Sequence, residues 1–219
     1  MTELAEIFDR VVVVNLARRS ERLTRFWQTL GNDWPFRRPE RFEAVDGSAV
    51  PAPREWQQGA GAWGCMLSHR QVIRSAIADN LDSILILEDD AIPAPGFAES
   101  AASFFSRVPS NWDCLMLGGQ HLRRPKSIEP GVVQCTSTNR THAFAVARNM
   151  MPGLLKFWET VTNDHCDIVL AACMGHFKTY APDPFLIGQN SGYSDITAET
   201  TKLRFLSAND EAALIGTAP

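Results

Sequence analysis

Apolar positions along the chain fall into two patterns, short unbroken runs and stretches with helical spacing. Arg10-Val11-Val12-Val13-Val14-Asn15-Leu16 is a continuous β-branched run. Such a run predicts a strand buried on both faces, hence a central strand of a parallel or mixed sheet. Ser20 stands where it would cap a following helix. Leu23, Phe26, Trp27 and Leu30 share one face of that helix, and Gly31-Asn32-Asp33 ends it. A second strand is predicted over 41–45, closed by the turn dipeptide Asp46-Gly47. A loop over 51–61 leads to a long helix over 62–80, with Trp63, Met66, Leu67, Ile73, Ala76 and Ile77 on one face. Ile84-Leu85-Ile86-Leu87 is another apolar strand, and it runs straight into Glu88-Asp89-Asp90.

Pro93 and Pro95 then interrupt the chain. A helix is expected over 97–107, a buried strand over 112–117 ending in Gly118-Gly119, and a strand pair from 132–135 and 142–146. Helices over 149–160 and 167–174 precede a last short strand over 177–181. From Gly188 onwards the sequence is polar and irregular, with a helix predicted over 209–215. Strands alternating with helices predict an α/β layer fold. Ligands of such sheets bind beyond the carboxyl ends of the strands, so the residues there are the first candidates for chemistry. No linker or repeat divides the 219 residues, which predicts a single domain.

Composition narrows the partners. With 45% hydrophobic residues the chain is globular, and a net charge of -4 does not suit nonspecific wrapping of nucleic acid. Arg outnumbers Lys 17 to 4. This reflects either codon bias or a use for guanidinium forks on phosphate and carboxylate. The first ten residues carry Glu3, Glu6 and Asp9 and no apolar segment, unlike a signal peptide. No run approaches the ~18 apolar residues of a membrane span. Five cysteines without a C-x-x-C pair predict reduced thiols in a cytoplasmic protein.

Glu88-Asp89-Asp90 is the most informative tripeptide. Three adjacent carboxylates are costly unless a cation compensates them, and hard divalent ions want such oxygens together with substrate phosphates. A solvated acidic turn ahead of the next helix is the competing reading. Arg18, Arg22 and Arg25 lie on neighbouring helical positions, where they form either a diphosphate contact or a solvated basic face. Asp164 and Asp167 open a late helix, where acids serve as caps or, at a crevice, as a general base. Cys166, Cys173, His165 and His176 match no common zinc spacing.

Four pieces occur in order: Val13-Asn15-Leu16 with Arg18 and Arg22, Ala44-Val45-Asp46-Gly47, Gly61 to His69, and Ile86 to Ala91. Together they resemble glycosyltransferase family 25, the group of bacterial lipooligosaccharide galactosyltransferases and collagen galactosyltransferase domains. Weaker matches follow at Leu117-Gly118-Gly119, Thr141 to Arg148 (with Phe144 where Tyr is usual), Asp167, Pro184 to Gln189 and Ser194-Asp195-Ile196. The resemblance covers roughly residues 10–196 and leaves 197–219 as a tail.

The resemblance implies a GT-A fold, a Rossmann-like nucleotide-sugar-binding sandwich with a mixed, mainly parallel central sheet. It implies an inverting transfer from a UDP-sugar, galactose being the common one, to a glycan such as lipopolysaccharide. Glu88-Asp89-Asp90 stands for the metal motif, with Asp90 the principal ligand of manganese or magnesium. Gln189 and Asp195 are placed at the metal or diphosphate, Arg18 and Arg22 at the diphosphate, and Asn15 and Asp46 near uracil or ribose. Asp167 is the first candidate for the base and Asp164 the second. A lipid-linked acceptor would bring the protein to a membrane surface, while oligomeric state is not indicated. The alternatives are a magnesium-dependent phosphoryl or nucleotidyl transferase, against which stands the lack of a Gly-rich phosphate loop, and a degenerate domain that only binds glycan.

Overall fold

The computed structural model describes residues 4–161, 163–193, 195–196 and 200–201. Strand β1 (Arg10–Asn15) leads through helix α1 (Ser20–Leu30) to β2 (Glu40–Glu43), and helix α2 (Gly59–Ala78) leads to β3 (Ser83–Glu88) and the short β4 (Ala91–Pro93). Helix α3 (Phe97–Phe105) precedes β5 (Cys114–Met116), β6 (Gln120–His121), β7 (Lys126–Glu129), β8 (Val132–Gln134), β9 (Thr138–Asn139) and β10 (Ala143–Ala147). Helices α4 (Met151–Thr160) and α5 (Cys166–Cys173) follow, then β11 (Thr179–Pro182), β12 (Ile187–Gln189), β13 (Gly192–Tyr193) and β14 (Thr200–Thr201). Among the described residues no helix is long and apolar enough to cross a membrane.

One sheet of eight strands has the order β2-β1-β3-β10-β5-β11-β8-β7. β1 is parallel to β2 and β3, and β5 is parallel to β11, while β10 and β8 are antiparallel to both their neighbours. The sheet is therefore mixed, with all strands but β10 and β8 running one way. Alternation along β1 divides the core. Val12 and Val14 pack with Met66 and Ile73 of α2 and with residues of α4 and α5. Val11 and Val13 pack with Phe26 and Leu30 of α1 and with Phe97 and Phe104 of α3. The four-valine run is thus a strand with helices on both faces, as its sequence predicts.

The chain leaves β1 through α1 on one face to reach β2, and reaches β3 on the other side of β1 through α2 on the opposite face. That reversal is a topological switch point between the carboxyl ends of β1 and β3, where open α/β sheets form a ligand crevice. Asn15 and Glu88-Asp89-Asp90 stand at those two ends.

Some local expectations change. Ser20 does not cap α1: Ala17–Arg19 already forms a 3-10 turn, so Ser20 lies inside the first helical turn and no side chain caps it. The strands at 132–134 and 143–147 form but do not pair with each other. β10, Ala143–Ala147, is almost wholly buried and takes two neighbours, β3 and β5, whereas β8 pairs with β11 and β7. The helix expected over 209–215 lies outside the described residues.

Candidate functional site

The crevice is framed by a seam of backbone against backbone. A Cβ on Gly47 would lie 1.9 Å from the Ala60 carbonyl oxygen, and one on Gly64 would lie 2.5 Å from the Val45 carbonyl oxygen. Only glycine allows this approach. Ser68 closes the seam: its Oγ accepts from the Val45 amide at 2.9 Å and donates to the Gly64 carbonyl at 2.6 Å. One helical turn earlier, Gly61 seats the Asp195 carbonyl, which would lie 2.1 Å from an added Cβ. The glycines and serine of the Gly61 to His69 stretch therefore press α2 against the segment after β2 and against residues 195–196.

The cleft so formed has two adjoining cavities, of about 610 and 300 Å³, which share the acidic tripeptide. Its three carboxylates meet different surroundings. Glu88 accepts from Thr141 Oγ1 at 2.7 Å and faces His69 Nε2 at 3.7 Å. Asp89 accepts from Asn15 Nδ2 at 2.6 Å across the switch point and pairs with Arg22. Asp90 has Gln189 Nε2 at 3.4 Å and Arg22 at 3.6 Å from Oδ2, while its buried Oδ1 has no hydrogen-bond partner. Burial, with Asp90 close by, pushes Glu88 up to about 7. Burial pushes Asp89 up to about 6 even against Arg22 and Asn15. The tripeptide is short of positive charge, and Asp90 Oδ1 is the oxygen best placed for a divalent cation. The donor set thus fits a hard metal ion.

Opposite the acids, the arginines converge on one carboxylate. Asp195 accepts from Arg18 at 2.9 Å and from Arg19 at 2.6 and 2.9 Å, with Arg22 at 3.5 Å. Burial opposes its charge, but the Arg19 and Arg18 hydrogen bonds hold Asp195 below the usual carboxylate range. Arg18 also donates to Asp46 at 2.9 Å, and Asp46 accepts from Ser48 as well. The Ser48 and Arg18 bonds bring Asp46 down to about 2. Asn15 is 2% exposed, and its amide is engaged with Asp89, the Arg19 carbonyl and Arg41.

On the far side of the cleft, Asp167 accepts from the Arg140 amide at 3.1 Å and from the Ile168 amide at 2.8 Å. Burial raises its pKa. Arg140 has φ of +71° and donates to Gln120 and to Gln189 Oε1, the latter at 2.5 Å. Asp164 is exposed, before α5, and is not among the lining residues of either cavity. The structure therefore brings Asp90, Glu88, Asp89, Arg22 and Gln189 to one floor, with Asp167 on one wall and Asp46, Arg18 and Asp195 on another. Asn15 lies beneath Asp89.

Two groups were not visible as site residues in the sequence. Arg140 precedes β10, a strand whose reversed direction brings its start to the cleft. Cys65, His69 and Cys166 gather on the floor from positions up to 101 residues apart. No disulfide joins any of the five cysteines.

Residues 8–127, more than half of the chain, match the model of glycosyltransferase family 25, described as an LPS biosynthesis protein. The chain belongs to this family. It is 28% identical over 157 residues to a glycosyltransferase 25 family member of Drosophila melanogaster, covering 62% of this chain and 24% of that protein. It is 26% identical over 145 residues to procollagen galactosyltransferase 1 of Danio rerio, covering 57% and 24%. It is 29% identical over 164 residues to the inactive glycosyltransferase 25 family member 3 of Homo sapiens, covering 64% and 27%. The chain spans about a quarter of the length of these curated relatives. Among solved structures, A197 from STIV aligns at a TM-score of 0.41 and 12% identity, covering 90% of this chain and 96% of that one. A glycosyltransferase involved in the glycosylation of the major capsid of PBCV-1 aligns at 0.39 and 11%, covering 68% and 64%.

Proposed function

We propose that this chain transfers a sugar, galactose in the first instance, from a UDP-sugar to a glycan hydroxyl with inversion, using manganese or magnesium. The observation that carries the proposal is Asp90: a buried carboxylate oxygen without a hydrogen-bond partner at the switch point of the sheet, in a cleft with arginines on its rim. Asp90 would hold the ion, supported by Glu88 and Asp89 and completed by Gln189 or Asp195. A bound divalent ion supplies Lewis-acid stabilisation of the diphosphate as it leaves. Arg18 and Arg22 offer planar forks to phosphate oxygens. Asp46, held beside Arg18, would meet the nucleoside, and Asn15 would act from beneath by orienting Asp89.

Inversion needs a carboxylate base on the face opposite the leaving group, and we assign this to Asp167, with Asp164 second. Burial makes Asp167 a stronger base than an ordinary aspartate, and two backbone amides hold its orientation. The family description and the galactosyltransferase relative favour a lipopolysaccharide-type acceptor and UDP-galactose. A lipid-linked acceptor would place the reaction at a membrane surface on the cytoplasmic side.

The test is a manganese-dependent transfer screen across UDP-sugars, run with Asp167→Asn and Asp164→Asn. Asp167→Asn is expected to bind UDP and metal as wild type does and to lose ~10²–10⁴ of the transfer rate, the usual worth of a general base. Loss in Asp164→Asn alone would move the base to that residue. Stabilisation by ATP and not UDP would favour a phosphoryl or nucleotidyl transferase. UDP binding without turnover on any acceptor would favour a binding domain.

A further inference from the structure

We propose that Cys65, His69 and Cys166 form a second metal site on the cleft floor, one for a thiophilic cation such as zinc and separate from the oxygen site at Asp90. The three donor atoms already stand close to three corners of a coordination tetrahedron. Cys65 Sγ and Cys166 Sγ are 3.4 Å apart, Cys65 Sγ and His69 Nδ1 3.6 Å, and Cys166 Sγ and His69 Nδ1 4.0 Å. Zinc with sulfur at ~2.3 Å and nitrogen at ~2.0–2.1 Å requires S···S of about 3.8 Å and S···N of about 3.6 Å. The sulfur separation is far beyond the ~2.05 Å of a disulfide bond.

Rigid elements hold the donors. Cys65 and His69 are one helical turn apart on α2, and Cys166 opens α5, its carbonyl accepting from Trp158 Nε1 at 2.9 Å. The His69 ring is stacked on Phe144 and meets Trp158 edge-on, so its plane is fixed. Cys166 and His69 are buried, whereas Cys65 is half-buried and borders both cavities, which gives an ion a route in and an open fourth position.

The outer shell is present too. Metal-ligating histidines commonly donate their other ring N–H to a carboxylate. His69 Nε2 is buried without a hydrogen-bond partner, and the nearest carboxylate is Glu88, at 3.7 Å, itself anchored by Thr141. Nδ1 lies 3.0 Å from the Cys65 carbonyl and donates to it when protonated. Ligation releases the thiol protons of Cys65 and Cys166 to solvent, requires the proton of the neutral His69 ring to sit on Nε2 instead of Nδ1, where it faces Glu88, and ties α2 to α5. Two thiolates and an imidazole select zinc over the hard ions that suit Asp90.

Zinc alone, without nucleotide, is titrated into the reduced, chelator-treated full chain against a chromophoric chelator, and cobalt is used as a spectroscopic probe. The expected result is one ion per chain with a thiolate-to-cobalt charge-transfer band and a raised melting temperature. Cys65→Ser and Cys166→Ser should each weaken zinc by more than the ~10–100-fold worth of an outer-shell partner. Cys173→Ser and Asp90→Asn should keep it. Absence of stoichiometric zinc, absence of the thiolate band in wild type, or equal loss in Asp90→Asn would overturn the site. Far-UV circular dichroism of the metal-free variants separates lost ligation from lost fold, and should a serine variant not fold, the wild-type cobalt band alone decides.

Discussion

Asp89 and Asp90 are chain neighbours with the same side chain, yet they sit in opposite kinds of surroundings. Asp89 is enclosed by Asn15 and Arg22, on the wall where Arg18 and Arg19 close on Asp195. Asp90 meets Gln189 and, at longer range, the same Arg22, and its Oδ1 has no donor. The first wall, of Arg18, Arg19 and Asp195, contains its own counter-charges; the second, of Glu88 and His69, holds a carboxyl that burial pushes up to about 7. One acidic tripeptide thus carries a carboxylate with both oxygens engaged next to one with an oxygen left over, so the support Asp89 gives a metal site is mainly anchoring while Asp90 is the direct ligand.

The sharpest way to break this comparison is Asp90→Asn. It is expected to abolish manganese-dependent UDP binding, read by calorimetry, with little change in melting temperature. Normal manganese dependence in that variant would make the two aspartates equivalent. Asp89→Asn should weaken metal-dependent UDP binding less than Asp90→Asn and cost more stability. It leaves Arg22 less well compensated and should cost about 2–3 kcal/mol in denaturant unfolding, below the ~3–5 kcal/mol of a fully buried pair because Asp90 and Asp195 remain nearby.

A pH scan sharpens the second wall. Glu88 rises from its ordinary 4.5 to about 7 on folding, so between those values the folded chain holds a proton that the unfolded chain has lost. Its contribution therefore favours folding below that window and fades as pH rises through it. Metal-free Glu88→Gln should show a shallower decline of melting temperature from pH 5 to 7 than wild type, and a steeper one would reverse the sign. The smallest effect is expected at Arg18, whose side chain is 48% exposed: Arg18→Ala should shift stability by less than ~1 kcal/mol despite two ion pairs.

Much of this arrangement was legible in the residues. The valine run of β1 and the apolar run of β3 announce buried strands, and the acids follow at the strand end where a switch point exposes them. Gly47 reads in the sequence as a turn and Gly61 and Gly64 as part of a family-like stretch; that all three permit close backbone approach shows only in the fold. The cysteine–histidine cluster was not legible, because nothing local links Cys65 to a residue 101 positions away. Arg140 was hidden for a topological reason. In a parallel sheet the residues after each strand reach the cleft, whereas the reversal of β10 brings the residues before it there instead. Likewise 132–134 and 143–147 take different neighbours, since two apolar runs of strand length carry no label for their partners.

The Asp195 contacts bear on how the protein is made. The seam at Val45 and Ser68 joins positions 23 apart, a short loop to close, whereas Asp195 reaches its arginines across 173 to 177 positions. During synthesis α1 leaves the ribosome long before the residue that completes its charge balance. Until residue 195 is made, the three guanidinium groups lack the carboxylate on which they converge in the fold. Arg18 and Arg22 also reach Asp46 and Asp89, but the carboxylate on which all three converge comes only with residue 195, so the charge balance of this wall closes late in the making of the chain.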